Sequence, residues 1–518
     1  MLARCLSASL QGLHAQPVTV EVDLAPGLPG VQLVGLPDKA IQESRERVRS
    51  ALRNSGFRGP LVRVVINLAP ADQRKEGPAF DLPIALALLV ASGQLDAPLL
   101  KGLWCAGELG LDGSLRPCRG VIAMADLAAQ ESGQTLVVPP ANAEEAALIP
   151  GLAVRTADDL SQLVKQLQQR RPCLGLTQPA RPKTLKAEAS QPLPAIGTGT
   201  GSRALALAAA GGHHLLMVGP PGCGKTRLAH HLPGLLPPLS HAEALMITRI
   251  HSVAGVLPQQ VRLQHERPFR APHHRCTPAS LLGGGLHPRP GELSLAHAGV
   301  LFLDELAEFP RMVLDQLRQP LEEGQVRLSR SRRKTEFPCA VTLVAATNPC
   351  PCGWYGDRDQ ECRCSPSQRR RYWQRLSGPL LDRIDLQLRL ERPTAANIRS
   401  AMSASHDPEP TNGTLVWHHP QRIHAARLRM QQRNPNGCSN RELTAVALGE
   451  QGGFESDSLS FWERLVHTRS LSTRSALQLL RVARTIADLE DRELVTTEVV
   501  AEASTYRCAD LLATADAP

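Results

Sequence analysis

Two rhythms of apolar residues divide the chain. Short continuous apolar runs read as strands, and stretches where apolar residues return every three or four positions read as helices. In the first 165 residues the strand-like runs are Val18–Leu24, Val31–Val34 and Val62–Leu68. A helix is predicted over Asp38–Asn54, opened by a Pro-Asp start signal and stopped near Gly56. Leu82–Ala91 is the longest apolar run; it is too short to cross a bilayer and reads as a buried helix. Residues 171–200 are rich in Pro, Gly, Thr and Ser and read as a linker. Strands and helices then alternate over 201–393, with His214–Val218, Val300–Leu303 and Ala340–Ala346 as apolar strands. From residue 439 the pattern is helical: Asn440 is placed to cap RELTAVAL before Gly449, and Ser472 or Thr473 to cap RSALQLLRVARTIADL. These rhythms predict an α/β chain divided as 1–170, a linker at 171–200, a second strand-and-helix unit at 201–395 and a helical unit at 396–518. No long internal repeat interrupts the division.

Composition narrows the class without naming a function. A length of 518 residues allows two or three cores, and 42% hydrophobic with 21% charged residues is ordinary for a globular chain. A net charge of +9 favours a polyanionic partner, with a basic surface that binds nothing as the alternative. The N-terminus has Arg4 but no sustained apolar segment, so no export signal is read there and no membrane span anywhere. Thirteen cysteines in such a chain point to the reducing cytoplasm, where clustered thiols bind metal more often than they pair.

The chemistry is concentrated in two strings. Gly219-Pro220-Pro221-Gly222-Cys223-Gly224-Lys225-Thr226 is a complete phosphate loop, preceded by a strand and followed by the helix TRLAHHL. Its glycines turn backbone N–H groups toward an anion, and the helix N-terminus favours negative charge. Lys225 is expected to reach the β- and γ-phosphates of ATP, and Thr226 to ligate Mg²⁺. Val300–Leu303 ends in Asp304 and Glu305, the expected Mg²⁺ partner and the expected base orienting the attacking water. Asn348, at the tip of the next apolar strand, is placed to hold that water, with a plain strand-end cap as the alternative. This arrangement resembles the AAA+ ATPases, whose corresponding polar residue is the first sensor.

Three longer strings sharpen the resemblance: Val34–Leu52 (VGLPDKAIQESRERVRSAL), Pro288–Leu306 (PRPGELSLAHAGVLFLDEL) and Asn348–Gly356 (NPCPCGWYG). Together they are similar to the YifB/ComM family of magnesium-chelatase-like AAA+ proteins, and the likeness runs over nearly the whole chain. The resemblance implies a Lon-protease-like α+β N-terminal domain, a P-loop α/β domain and a C-terminal helical lid. It implies a hexameric motor that promotes DNA branch migration in natural transformation. It also implies that Arg383, in SGPLLDRID, is an arginine finger acting on a neighbouring subunit's nucleotide, the alternative being a surface ion pair with Asp382 or Asp385. Arg474 matches the second sensor arginine, with Arg481 and Arg484 as alternatives. Where the family enters the ATPase domain with a Gly-Gln segment near the adenine, this chain reads Gly197-Thr-Gly-Thr-Gly-Ser202, which puts that contact in doubt. The Lon-like domain lacks the peptidase dyad: Ala79 stands in the serine position and Ile122 in the lysine position, leaving neither nucleophile nor base.

Two further features bear on partners. Cys350, Cys352, Cys362 and Cys364 form a C-x-C…C-x-C set able to close a tetrahedral structural zinc site, with free thiols as the alternative. Gln325–Glu336 (QVRLSRSRRKTE) resembles a hairpin inserted before the first sensor in this AAA+ branch, placing Arg327, Arg330, Arg332, Arg333 and Lys334 toward a threaded polyanion. Arg369, Arg370 and Arg371 precede Tyr372 and Trp373, so charge and a stacking surface are expected together, with solvated charged faces as the alternative for both segments. The histidine pairs, His273-His274 among them, read as loop hydrogen-bonders. The functions in contention are a DNA motor, the motor subunit of a magnesium chelatase, and a nucleotide-dependent remodelling chaperone.

Overall fold

The computed structural model describes residues 2–59, 61–131, 135–170, 199–258, 263–285, 288–330, 333–395 and 420–507. The linker expected at 171–200 therefore lies outside the described residues, except for Gly199 and Thr200, which open a helix.

A seven-stranded sheet organises the N-terminal unit. Its strands are β1 (Leu2–Gln11), β2 (His14–Ala25), β3 (Gly30–Val34), β4 (Arg63–Ala69), β5 (Leu103–Cys105), β6 (Thr135–Val138) and β7 (Ala153–Thr156), in the order β3-β4-β2-β1-β5-β6-β7. β1 and β2 form a long antiparallel hairpin whose tip is Gly12-Leu13. Against the sheet lies α1 (Lys39–Asn54), begun as expected by Asp38, whose side chain accepts from the Ile41 N–H at 2.8 Å. α1 buries Ile41, Val48, Ala51 and Leu52 on one face. α2 (Asp81–Ala91) is buried along its whole length, as its unbroken apolar run requires. Its one charge, Asp81, is answered by Arg47 of α1 at 2.7 Å. α3 (Val121–Gln130) and the helix Leu160–Gln168, capped by Asp159, also belong to the unit. Ala79 and Ile122 fall in one apolar cluster with Trp104 and Ala106, so hydrocarbon fills the place of a peptidase dyad.

The second unit carries five strands: β8 (Leu215–Val218), β9 (Phe269–Arg270), β10 (Val300–Leu303), β13 (Thr342–Thr347) and β14 (Leu386–Arg389), with the hairpin β11 (Gln325–Arg330) and β12 (Arg333–Pro338) standing between β10 and β13 in the chain. The sheet is wholly parallel, in the order β9-β10-β13-β8-β14. β8, β10 and β13 are buried at every position, because helices cover both faces. The order sets the site: β13, which ends beside Asn348, lies between the strand before the phosphate loop and the strand before Asp304. The longer helices of this unit are α4 (Gly199–Gly211), α5 (Lys225–Leu235), α6 (His241–Ala254) and α7 (Pro366–Trp373).

The third unit is helical, with α8 (Pro420–Arg433) and α9 (Thr473–Leu489) packed on α4. Ser472 caps α9 as expected. Asn440 does not cap a helix. It is buried and donates to Asp488 at 2.7 Å, within a cluster where Asp488 also receives Arg433 at 2.5 Å and Arg484 at 3.0 Å. Thr444 caps the following helix, Ala445–Gln451, instead. A buried carboxylate needs several donors, and that demand recruited Asn440 inward.

The N-terminal unit is seated on the ATPase unit in two places. Arg249 of α6 pairs with Asp126 of α3 at 2.9 Å, and the hydroxyl of Ser252 donates to the buried carboxylate of Glu145. The tip of the β1–β2 hairpin forms the second seat, where Leu13 shares an apolar cluster with Ile250 of α6 and Phe337 of β12. Among the described residues, no helix is long and apolar enough to cross a membrane.

Candidate nucleotide-binding site

The phosphate loop leaves β8 and closes on the N-terminus of α5. Gly222 and Gly224 hold positive φ values of 79° and 91°. At Gly219 a Cβ would lie 2.6 Å from the Leu390 carbonyl, so only glycine fits. Lys225 Nζ donates to the Gly219 carbonyl at 2.7 Å, the Pro220 carbonyl at 3.0 Å and Asn348 Oδ1 at 3.2 Å. Lysine and candidate sensor thus converge across adjacent strands. Thr226 Oγ1 donates to Asp304 Oδ2 at 3.0 Å, bringing together a hydroxyl and a carboxylate of the kind Mg²⁺ selects.

Glu305 stands in the left-handed region at φ 53°, ψ 47°, a conformation costing a non-glycine residue roughly 1–2 kcal/mol. Its N–H donates to Asp304 Oδ1 at 2.9 Å, which helps hold the turn. Its carboxylate meets His274 Nδ1 at 3.0 Å. His274 packs edge-on to Phe309 and lies against His273, whose own Nδ1 accepts from the Arg275 N–H at 3.2 Å. His273 is the loop hydrogen-bonder that was expected. His274 is a site residue that was missed, and only its place in the Ala271–His274 segment after β9, across from the end of β10, reveals it.

The two arginines expected at the site meet each other's partner instead. Arg383 gives Nη2 to Glu322 Oε2 at 2.7 Å, Nε to the Arg318 carbonyl at 3.0 Å and Nη1 to the Pro379 carbonyl at 2.7 Å. Arg474 pairs with the other oxygen of Glu322. The ion pair of Arg383 is therefore with Glu322, and not with Asp382 or Asp385. Neither arginine contacts the phosphate loop, Asp304, Glu305 or Asn348 of its own chain among the described residues. Asp385 is a buried hub: it accepts from the His214 N–H at 3.0 Å and faces Arg441 of the helical unit at 3.5 Å. The charge of Arg441, with the His213 ring 3.7 Å away, outweighs burial and holds its carboxyl well below the usual range. His214 is kept neutral by burial first and by Arg441 second, its pKa well below the ordinary value. Arg484 is committed to Asp488, and Arg481 donates to the Leu443 carbonyl at 2.9 Å.

Comparison with known proteins follows the same division into units. The profile for magnesium chelatase subunit ChlI matches residues 194–398, that for subunit ChlI of Mg-chelatase residues 20–142, and that for the ChlI C-terminal region residues 418–507. The protein YifB of Escherichia coli (strain K12) is 43% identical over 504 residues, covering 97% of this chain and 96% of YifB. The competence protein ComM of Haemophilus influenzae is 40% identical over 511 residues, covering 98% of this chain and 97% of ComM. The chain belongs to the YifB/ComM family of magnesium-chelatase-like AAA+ ATPases. Family membership implies a nucleotide and Mg²⁺, and the loop, Thr226 and Asp304 fit both.

In this family member the cysteine loop packs against the phosphate loop. A Cβ on Gly353 would lie 2.9 Å from the Pro221 ring. The Sγ atoms of Cys350, Cys352, Cys362 and Cys364 all lie within 4.8 Å of one another, with Cys350 to Cys352 at 3.3 Å and Cys350 to Cys362 at 3.7 Å. Four thiolates at about 2.3 Å from Zn²⁺ sit roughly 3.8 Å apart, so the set fits a metal of that kind.

The basic segments are less uniform than their sequence. β11 and β12 pair from Gln325 with Pro338 to Arg330 with Arg333, so the expected hairpin is present. Arg327 is partly neutralised by Glu323 at 3.0 Å and Glu336 at 3.4 Å, while Lys334 is exposed. Arg332 and the side chains of Arg330 and Arg333 lie outside the described residues. The stacking surface expected beside Arg369–Arg371 is not there. Tyr372 and Trp373 are buried, the phenol bonded to Thr347 Oγ1 at 3.1 Å and the indole donating to the Pro349 carbonyl at 3.1 Å. Their polar tips found partners only inside, which turns both rings to the core. Arg369 is also structural: it lies 4.3 Å over the Tyr355 ring and donates to the Cys364 carbonyl at 2.9 Å. Arg370 and Arg371 remain exposed.

Proposed function

We propose that this chain is an ATP-hydrolysing motor that assembles into a ring, a hexamer, and acts on DNA at branched recombination intermediates of natural transformation in the cytoplasm. In this reading Lys225, Thr226 and Asp304 hold the nucleotide and Mg²⁺, Glu305 activates water and Asn348 orients it. Arg383 and Arg474 serve the nucleotide of the neighbouring subunit. The observation that carries the DNA assignment is the hairpin β11–β12, which pairs outside the sheet that holds the nucleotide residues and carries the exposed Lys334; its sequence also holds Arg327, Arg330, Arg332 and Arg333. The competence protein among the relatives supports the same assignment. Arg370 and Arg371 are offered as further phosphate contacts. The cysteine set is read as a structural zinc site.

ATP turnover measured with and without forked or four-way DNA across a salt series tests the reading. Stimulation that fades as salt rises is expected. No stimulation and no salt-sensitive binding by any DNA would remove DNA as the substrate. The alternative, a motor that remodels a metal-inserting partner, is favoured by the ChlI profiles alone, and turnover stimulated by such a partner but not by DNA would select it.

A further inference from the structure

Helix α1 carries a charged face that the nucleotide site does not use. Arg45, Arg49 and Arg53 are all exposed and recur every four residues, so they lie within about 80° of one another and span about 12 Å along the axis. Like charges at this spacing weaken a helix by roughly 0.2–0.5 kcal/mol per pair, so the stripe is not explained by helix stability. The surrounding segment deepens the excess. Between Lys39 and Arg63 there are seven basic side chains and two acidic ones, a net +5 out of +9 for the whole chain.

Little of this charge is neutralised. Arg47 alone turns inward, to Asp81 at 2.7 Å and toward Glu43 at 3.9 Å. Arg45 donates to the Gln42 carbonyl at 3.2 Å, and Arg63 to Gln32 Oε1 at 3.1 Å; both acceptors are uncharged. Among the described residues, no carboxylate oxygen lies within 4.0 Å of Arg49 or Arg53. Glu46 is the single acid beside the stripe. The opposite face of α1 is buried, and its main contacts are with α2, the Pro78–Phe80 turn and Glu108–Leu109, all in the N-terminal unit. The seat on the ATPase unit uses α3 and the β1–β2 tip instead, so the arginine face stays open in the chain.

We infer that the Arg45–Arg49–Arg53 face of α1 is a second DNA contact, reading the phosphate backbone without regard to sequence. Guanidinium groups pair with phosphate oxygens through two donors, and a row of them on a rigid helix follows one strand. This rests on the reading above that DNA is the substrate. The role it gives the N-terminal unit is to hold a DNA arm while the ring works on another.

The test uses the full-length Arg49→Ala/Arg53→Ala variant and a labelled four-way DNA junction, titrated at salt concentrations from about 50 to about 200 mM. The expected result is a slope of log affinity against log salt shallower by about two, equal for unrelated sequences, with the melting temperature kept. Arg49→Lys/Arg53→Lys should restore most of the slope. If the alanine variant binds like the unmodified chain, this surface is not a DNA contact and the motor reading stands. If the unmodified chain has no salt-dependent affinity for DNA, both fall. If the same arginines govern binding of polyglutamate and leave DNA binding unchanged, the partner is an acidic protein and the assignment to DNA is overturned.

Discussion

Glu305 is the residue on which turnover should depend. Its backbone is held in the left-handed region and its carboxylate lies 3.0 Å from His274 Nδ1. Strained residues persist where their surroundings over-determine them, and such places are often catalytic. Glu305→Gln should keep ATP binding, since Lys225, Thr226 and Asp304 are untouched, and lower turnover by about 10²–10⁴-fold. Nucleotide affinity and single-turnover rates measured together check this; unchanged turnover would take Glu305 out of the chemistry. The acid itself was legible in the sequence because it follows an apolar strand directly. Its partner was not, because His274 reaches it only when the segment after β9 crosses to the end of β10, a contact no local spacing encodes. Arg383 and Arg474 were singled out in the sequence only through the family resemblance, and their shared carboxylate, Glu322, was not legible, since three separated segments meet there.

At the scale of elements, the loop from Cys350 to Cys364 has a mechanical reason to hold metal. It packs on Pro221 through Gly353, and Arg369 of α7 braces it by lying over Tyr355 within the loop. Four thiolates closed around Zn²⁺ would fix a loop too small to have a core of its own. About one equivalent of zinc per chain is expected after dialysis under reducing conditions. Cys362→Ser/Cys364→Ser should lose it and weaken ATP binding before it lowers the maximal rate, because the disturbed neighbour is the phosphate loop. Metal analysis and the dependence of turnover on ATP concentration read the two effects separately. The strands β2, β3, β4, β8, β10 and β13 were visible as apolar runs. β1 was not, because Arg4, Ser7 and Ser9 interrupt it, and the two serines are buried in the sheet all the same. Tyr372 and Trp373 misled for a related reason: adjacency to arginines says nothing about which way a helical residue points.

At the scale of the molecule, the separation of Arg383 from its own phosphate loop has a direct consequence. If both arginines act on a neighbour, a chain lacking Arg383 and a chain lacking Lys225 can complete each other. Arg383→Ala and Lys225→Ala should each be inactive alone, and mixing them should recover a fraction of the ATP turnover. No recovery from mixed assemblies would place Arg383 outside the shared site. The division into sheet, sheet and helices followed from the rhythm of apolar residues, whereas the seating of one unit on another depended on single side chains such as Leu13 and Asp126. The seat at Leu13 sets how force can pass through the chain. The β1–β2 tip rests on Phe337, in the strand that forms one leg of the basic hairpin, and on α6 beside it. The hairpin's root is therefore clasped by the N-terminal unit like an oar in a rowlock. In the proposed motor, a pull on the blade would be delivered to a fulcrum outside the ATPase sheet, and the N-terminal unit would be loaded with it.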